Sequence, residues 1–194
     1  MRSCIKTWWI RMKRAGMTRG FGVQSPSAYS FIRYVINEHN PYYAYAELKD
    51  RLDMLSHLEH RLGRLLFRLA NFWQPAVRYS DETQFFPYMY AGCHGSDVRS
   101  LNDFLQLLPK HEKNMLVVDL EKVPVAEVLE RILPVCGGQT LLVCLALHGL
   151  PASCQGWKQI QESAWVGITY DLYYAGIVFF DKSKFKQHYK VNIS

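Results

Sequence analysis

Leu65-Leu66-Phe67-Arg68-Leu69-Ala70-Asn71-Phe72-Trp73-Gln74-Pro75-Ala76-Val77-Arg78-Tyr79-Ser80-Asp81 is the stretch on which the fold turns. Leu65, Leu66, Leu69 and Phe72 recur at helical spacing, which predicts a helix with one apolar face. Pro75 stops it, and Ala76 to Ser80 has the length and β-leaning composition of a buried strand. A helix feeding a first strand is a common opening for an α/β sheet. In such a sheet ligands sit past the carboxyl end of that strand, where glycines let the backbone close on them. Here the position holds Asp81 to Pro87, which contains no glycine.

Upstream of this stretch the chain reads as helical. Ser25-Pro26 is a helix start, because serine can cap free amides and proline suits the first helical position. Ala28, Phe31, Ile32, Val35 and Ile36 form its apolar stripe, and Asn40-Pro41 ends it. Further helices are expected over about Ala44 to Leu55 and from Leu58 to Trp73. Downstream, Phe85 to Cys93 reads as a short strand or an irregular turn, and Ser96-Asp97 as the cap of a helix to Leu108. Met115 to Leu120 is a buried strand ending near a carboxylate, and Val125 to Leu133 is a helix. Thr140 to Leu147 is an apolar run of the kind found in central parallel strands, and Ala152 to Ser163 is a helix. Trp165 to Leu172 and Gly176 to Asp181 are the last two strands, with Gly176 easing the turn between them. This pattern predicts an α/β fold: a mostly parallel sheet with an antiparallel C-terminal strand pair and a helical N-terminal preface. The expected organisation is a basic segment over residues 1–24 and a single domain over 25–194. That domain divides into a preface at 25–74, a sheet core at 75–181 and a polar tail at 182–194.

The 194 residues carry 49% hydrophobic and 21% charged side chains, as a globular chain does, and no stretch approaches the ~20 apolar residues of a membrane span. The net charge of +6 is uneven: Arg2, Lys6, Arg11, Lys13, Arg14 and Arg19 lie within the first 19 residues, with no acid among them. Ile5, Trp8, Trp9 and Met12 fall on one helical face of that segment. It suits either a short helix docked through its tryptophans or a contact with nucleic acid or an anionic membrane surface. Cys4, Cys93, Cys136, Cys144 and Cys154 are odd in number and form no CxxC, the usage of a reducing compartment. With charges throughout residues 1–19 and no export signal, the expected location is cytoplasmic.

The two ends of the chain carry a resemblance. Gly20-Phe21-Gly22-Val23-Gln24-Ser25-Pro26, followed by Phe31-Ile32 and Pro41-Tyr42-Tyr43-Ala44-Tyr45, resembles the N-terminal region of a group of class I S-adenosylmethionine-dependent methyltransferases from Bacteroidetes-type bacteria. There a His-Gly-(Val/Ile)-His-Ser-Pro-Phe motif opens the preface; here Phe21 and Gln24 stand for the two histidines and Ser27 for the phenylalanine. Ile168 to Phe180 is similar to the family's last strand pair. The resemblance implies a truncated Rossmann-like fold of the class I methyltransferase type.

The middle of the chain departs from that pattern. The family's glycine-rich loop after strand one is Asp81 to Pro87 here, and its acidic residue within strand one is replaced by Arg78 or Tyr79. Cys93 to Met115 is too short for strand two, its helix and strand three, so the ribose-holding acid has no counterpart. Leu145-Ala146 replaces a pair of acids.

Asp119, at the carboxyl end of a strand, is the leading candidate for a functional group; the alternative is a helix cap or a loop-ordering acid. His148, at a neighbouring strand end, is a candidate general base, or a structural histidine packed on Leu147 and Leu150. Tyr79, Asp81 and Glu82 are the residues that would meet a cofactor if such a site survives. His57 with His60, and Cys93 with His94, are pairs without a third partner, short of the three or four ligands that zinc needs. Two functions follow. One is a non-catalytic binding or interaction module for a protein or small molecule, with no cofactor. The other is an active methyltransferase using S-adenosylmethionine in an atypical site.

Overall fold

The computed structural model describes residues 25–107, 112–183 and 185–192. The expectations for the basic segment at residues 1–24, docked or in contact with nucleic acid or membrane, lie outside the described residues. Helix α1 (Pro26–Phe31) begins as expected, with the Ser25 hydroxyl accepting from the Ala28 amide, and continues as a π-helical turn over Ile32–Ile36. Helix α2 spans Tyr43–Arg51 and α3 spans His57–Trp73. A reciprocal cap opens α3: Ser56 accepts from the Glu59 amide at 3.3 Å while Glu59 accepts from the Ser56 amide at 2.8 Å. At its far end Gln74 turns left-handed (φ 49°), and the chain enters β1 (Val77–Ser80) after Pro75. The Trp73 indole donates to the Asn114 carbonyl at 2.9 Å, which ties this corner to the start of the next parallel strand.

After a 3₁₀ turn at Thr83–Phe85 come α4 (Phe86–Gly92), β2 (Asp97–Arg99), α5 (Leu101–Leu107) and β3 (Asn114–Asp119). Then α6 (Val125–Glu127) runs on as a π turn and a 3₁₀ turn to Val135, followed by β4 (Thr140–Leu145) and α7 (Pro151–Glu162). Strands β5 (Ile168–Asp171), β6 (Ala175–Phe179) and β7 (Gln187–Lys190) close the chain. The described strands form one sheet in the order β2-β1-β3-β4-β6-β5-β7. All neighbours are parallel except at β6, which runs antiparallel to both β4 and β5.

Every residue of β4 is buried, and its side chains alternate between two cores. Leu141, Val143 and Leu145 join Phe31, Ile32, Leu65, Leu66 and Leu69 on one face. Leu142 and Cys144 join Val128, Ile132, Trp157 and Ile160 on the other. The preface is therefore a full layer of a three-layer sandwich: α1 and α3 cover one side of the sheet, and α5, α6 and α7 the other.

Four expectations are corrected. Phe85 to Cys93 is neither strand nor irregular turn but mostly helical. Pro87 sits in the first turn of α4, and Phe85 and Met89 are buried in the preface core. A second strand does exist: Asp97–Arg99 pairs with β1 (Val77 opposite Asp97), and the helix cap moves to Ser100. Three residues suffice because the strand lies at the edge and needs only one neighbour. Residues 187–190 are not a polar tail. They form β7, parallel to β5, with Tyr189 stacked on Tyr170 at 5.2 Å. Finally, Gly176 does not make the turn. Tyr173 does so at φ 74°, and Gly176 instead leaves room for Trp157, whose ring would lie 2.4 Å from an added Cβ.

Candidate functional site

The carboxyl ends of β1, β3 and β4 come together, as the parallel sheet requires, at a crevice of about 270 Å³. Its walls include Leu58 and Leu62 from α3, Phe85, Leu145 and Tyr174, and its polar groups include Glu59, Glu82, Gln84, Asp119 and Lys122. The loop after β1 is held by its own polar groups. Ser80 accepts from the Glu82 amide at 3.0 Å, and Asp81 accepts from the Leu101 amide at 3.3 Å, at the start of α5. Glu82 is only 3% exposed. Both of its carboxylate oxygens accept from Lys122 Nζ at 2.7 Å, and Gln84 donates to it at 2.7 Å. The bond to Glu82 is the main reason that the Lys122 ammonium titrates above its ordinary range.

Asp119 lines this crevice, and its carboxylate accepts from the Glu121 amide at 2.8 Å, which orders the turn after β3. His148 is engaged elsewhere. Its Nε2 lies 3.5 Å from Asp171 Oδ2, an ion-pair separation without hydrogen-bond geometry, and its ring stacks on Tyr173 at 4.8 Å and 18°. The two catalytic candidates thus occupy neighbouring strand ends, with Asp119 in the crevice and His148 against the β5–β6 hairpin. Tyr79 does not line the crevice: it is 1% exposed and packs edge-on against Phe104 on the far side of the sheet. Burial raises its phenol pKa.

At the end of β2 stand Arg99 and Ser100. The nearby carboxylate of Asp103 is bound by the Ser100 amide at 3.0 Å and the Ser100 hydroxyl at 2.9 Å. At the end of β4, Ala146 has φ 57° and its amide donates to the Tyr174 carbonyl at 3.1 Å. Ala146, two residues before His148, and Tyr173, whose ring stacks on it, both have left-handed torsions, where a side chain is disfavoured.

The remaining histidine and cysteine pairs have other partners. His60 Nδ1 bonds the Tyr88 hydroxyl at 2.7 Å, and Cys93 Sγ lies 3.5 Å from Gln74 Oε1. Among the described residues, no three His, Cys, Asp or Glu side chains converge as metal ligands.

Sequence reasoning picked out Asp81, Glu82, Asp119 and His148 but missed Lys122, Asp171 and Tyr173. Lys122 carried a signal, three residues beyond Asp119 at the end of a parallel strand. The partner roles of Asp171 and Tyr173 depend on β6 lying between β4 and β5, which spacing alone does not specify. No protein-family model matches this chain, and no curated protein matches it. Among the described residues no helix is long and apolar enough to cross a membrane.

Proposed function

We propose that this protein is a catalytically silent binding or interaction module, built on a methyltransferase-like α/β sheet, that does not use S-adenosylmethionine. The Glu82–Lys122 pair carries this reading. It bridges the ends of β1 and β3, where a ligand of this architecture would lie, and commits both charges to each other. The crevice beside it, about 270 Å³, falls below the ~300–1,000 Å³ usual for small-molecule sites.

The residues present do not fit the cofactor. Its carboxypropyl end needs close backbone approach after β1, where the chain has Asp81, Glu82 and the buried Phe85. Its ribose needs a carboxylate at the end of β2, where Arg99 and Ser100 stand and Asp103 is bound to Ser100. The methyltransferase ancestry itself rests on the likeness of the chain ends. The placement of β6 antiparallel between β4 and β5 is compatible with the closing strand pair that likeness implies.

Calorimetric titration of the full chain with S-adenosylmethionine tests the reading. No binding is expected at concentrations up to the ~1 mM upper end of working enzyme sites. A dissociation constant below about 50 μM, well inside that ~1 μM–1 mM range, overturns it. One observation favours the alternative, an active enzyme with an atypical site. His148, at the end of β4 with its Nε2 3.5 Å from Asp171 Oδ2 and its ring stacked on Tyr173, stands where a general base would stand. The same titration separates the two.

A further inference from the structure

A second pocket lies at the opposite end of the sheet from the crevice. It measures about 450 Å³ and opens beside the last turn of α3 and the amino ends of β4 and β5. Aromatic side chains from the preface and from the sheet build it. The Phe31 ring of α1 stands 5.1 Å from Phe72, 4.9 Å from Tyr170 and 5.2 Å from Phe179, and Trp73 lies 5.8 Å from Phe179, centre to centre. These rings are tilted or edge-on to one another, an arrangement that further rings can extend. Phe72 is 48% exposed, and Trp73, Ile168 and Phe179 are half-buried, so the apolar surface is open.

The polar groups at the rim are engaged locally. Ser27 Oγ pairs with Ser25 Oγ at 3.0 Å, and the Asp181 carboxylate accepts from the Ser183 amide at 2.9 Å and its hydroxyl at 2.6 Å. Gln139 sits on the exposed turn before β4. A small-molecule site fixes its ligand with a few polar groups that converge on it. Here the rings supply the recognition, and they select apolar, aromatic bulk.

Such bulk is tethered at the edge of the pocket. Ser25, where the described chain begins, stands two residues before Ser27 in the pocket wall. Upstream of it, Ile5, Trp8, Trp9 and Met12 share one face at helical spacing. The intervening run from Gly16 to Gln24 reaches about 30 Å when extended, at ~3.3 Å per residue, which is enough to bring that face back. A short flexible tether holds its cargo at an effective concentration on the order of millimolar, ahead of free ligands of the same apolar kind. We propose that this pocket is the seat of the chain's own N-terminal segment, with Trp8 and Trp9 inserted among the rings of Phe31, Phe72 and Phe179. Lys6, Lys13 and Arg14, off that apolar face, then stay in water. The seat is independent of the strand-end crevice and of whether S-adenosylmethionine binds there.

Fluorine NMR of the full chain labelled with 5-fluorotryptophan tests the proposal, with Trp8→Phe and Trp9→Phe assigning the two resonances. Both are expected away from the free 5-fluorotryptophan position, at all protein concentrations. Gly138→Phe narrows the mouth of the pocket at an exposed position where an added Cβ meets nothing within 4 Å, so the fold is expected to tolerate it. It should return both resonances to the free position. Phe72→Glu, which replaces a half-exposed ring of the wall, should do the same and serves as the second variant. An apolar dye, anilinonaphthalene sulfonate, gives a separate readout. If the segment is seated about 90% of the time, replacing Trp8 and Trp9 by serine should raise dye affinity about tenfold, since the open fraction rises from ~10% to all of the chain. Indoles already at the free position in the unaltered chain overturn the proposal, as do shifted indoles that neither pocket variant moves. Dye binding of equal strength with and without the tryptophans overturns it too, and leaves the pocket to a small molecule. Shifts that fade on dilution would assign the seat to the segment of a second copy, and shifts seen only with phosphatidylglycerol vesicles or an oligonucleotide would assign the tryptophans to those surfaces; either result overturns it.

Discussion

Lys122 reaches across from the turn after β3 to place its ammonium 2.7 Å from both carboxylate oxygens of Glu82. The two ends of this pair are unlike: the Glu82 side chain is 4% exposed and that of Lys122 is 61% exposed. Water therefore screens the lysine but scarcely reaches the acid. Lys122→Ala should destabilise the fold by about 1–3 kcal/mol, the cost of stranding a buried group in hydrogen-bond terms. That is less than a fully buried pair would lose, because solvent can enter where the lysine stood. Urea denaturation measures it, and a change under about 0.5 kcal/mol, ordinary for a surface site, would show the pair to be ornamental. The folded state raises the Lys122 pKa, so the pair's contribution is complete below the ordinary lysine value and fades as pH rises through the folded one.

Gly176 on β6 lies directly against the Trp157 ring of α7. A Cβ at residue 176 would lie 2.4–2.7 Å from the indole ring, which is 1% exposed and has nowhere to move. Gly176→Ala should cost about 1–3 kcal/mol, as overpacking of a filled core does. Near-UV circular dichroism of the tryptophan bands should change with it. An unchanged spectrum and unfolding midpoint would mean that the helix can shift freely.

Arg78 makes the opposite case. It is fully buried on β1, donates through Nη2 to the Ser96 carbonyl, and lies 5.9 Å from the Tyr90 ring centre. Its Nε and Nη1 make no hydrogen bond, and burial lowers its pKa. An uncompensated buried cation is costly, and apolar replacement of buried charge is often neutral or favourable. Arg78→Met is expected to leave stability unchanged or raise it by about 1 kcal/mol. A loss above about 2 kcal/mol in chemical denaturation would mean that the single carbonyl bond outweighs the desolvation of the charge.

His188 on β7 accepts from or donates to the Thr169 hydroxyl at 2.8 Å. Burial chiefly, and then the neighbouring Lys186, lower its pKa, against a smaller opposing effect of Glu162. A histidine depressed in the folded state binds its proton more readily when unfolded. Its contribution is present above the ordinary value of about 6.5 and is lost as pH falls below that toward the folded pKa. Amide exchange in β7 should therefore quicken on acidification through this window, and His188→Gln should remove that part of the pH dependence. Exchange in β7 that is indifferent to pH, after correction for intrinsic rates, would count against it.

Periodicity made β3, β4, α3 and α7 legible because each pairs a continuous apolar run or stripe with a covered face. It failed where neighbours decide. Phe85, Phe86 and Tyr88 look β-leaning, yet they pack against residues of α3 such as Leu66 and Phe67, and Pro87 suits a first turn. β2 and β7 are short edge strands with little apolar content, so composition hides them and only their partners β1 and β5 reveal them. At the strand ends the acids were visible. Their commitments were not, because Glu82 and Lys122 are 40 residues apart in sequence.

The position of β6 also bears on synthesis of the chain. β4 reads Thr-Leu-Leu-Val-Cys-Leu, uncharged, without proline and strongly β-forming. On one side it pairs with β3, already made; on the other it must wait for Ala175–Phe179, some thirty residues later. While the ribosome supplies that interval, the most apolar strand presents an open hydrogen-bonding edge to whatever is near. A nascent chain paused between β4 and β6 is thus the form in which this protein most needs a chaperone.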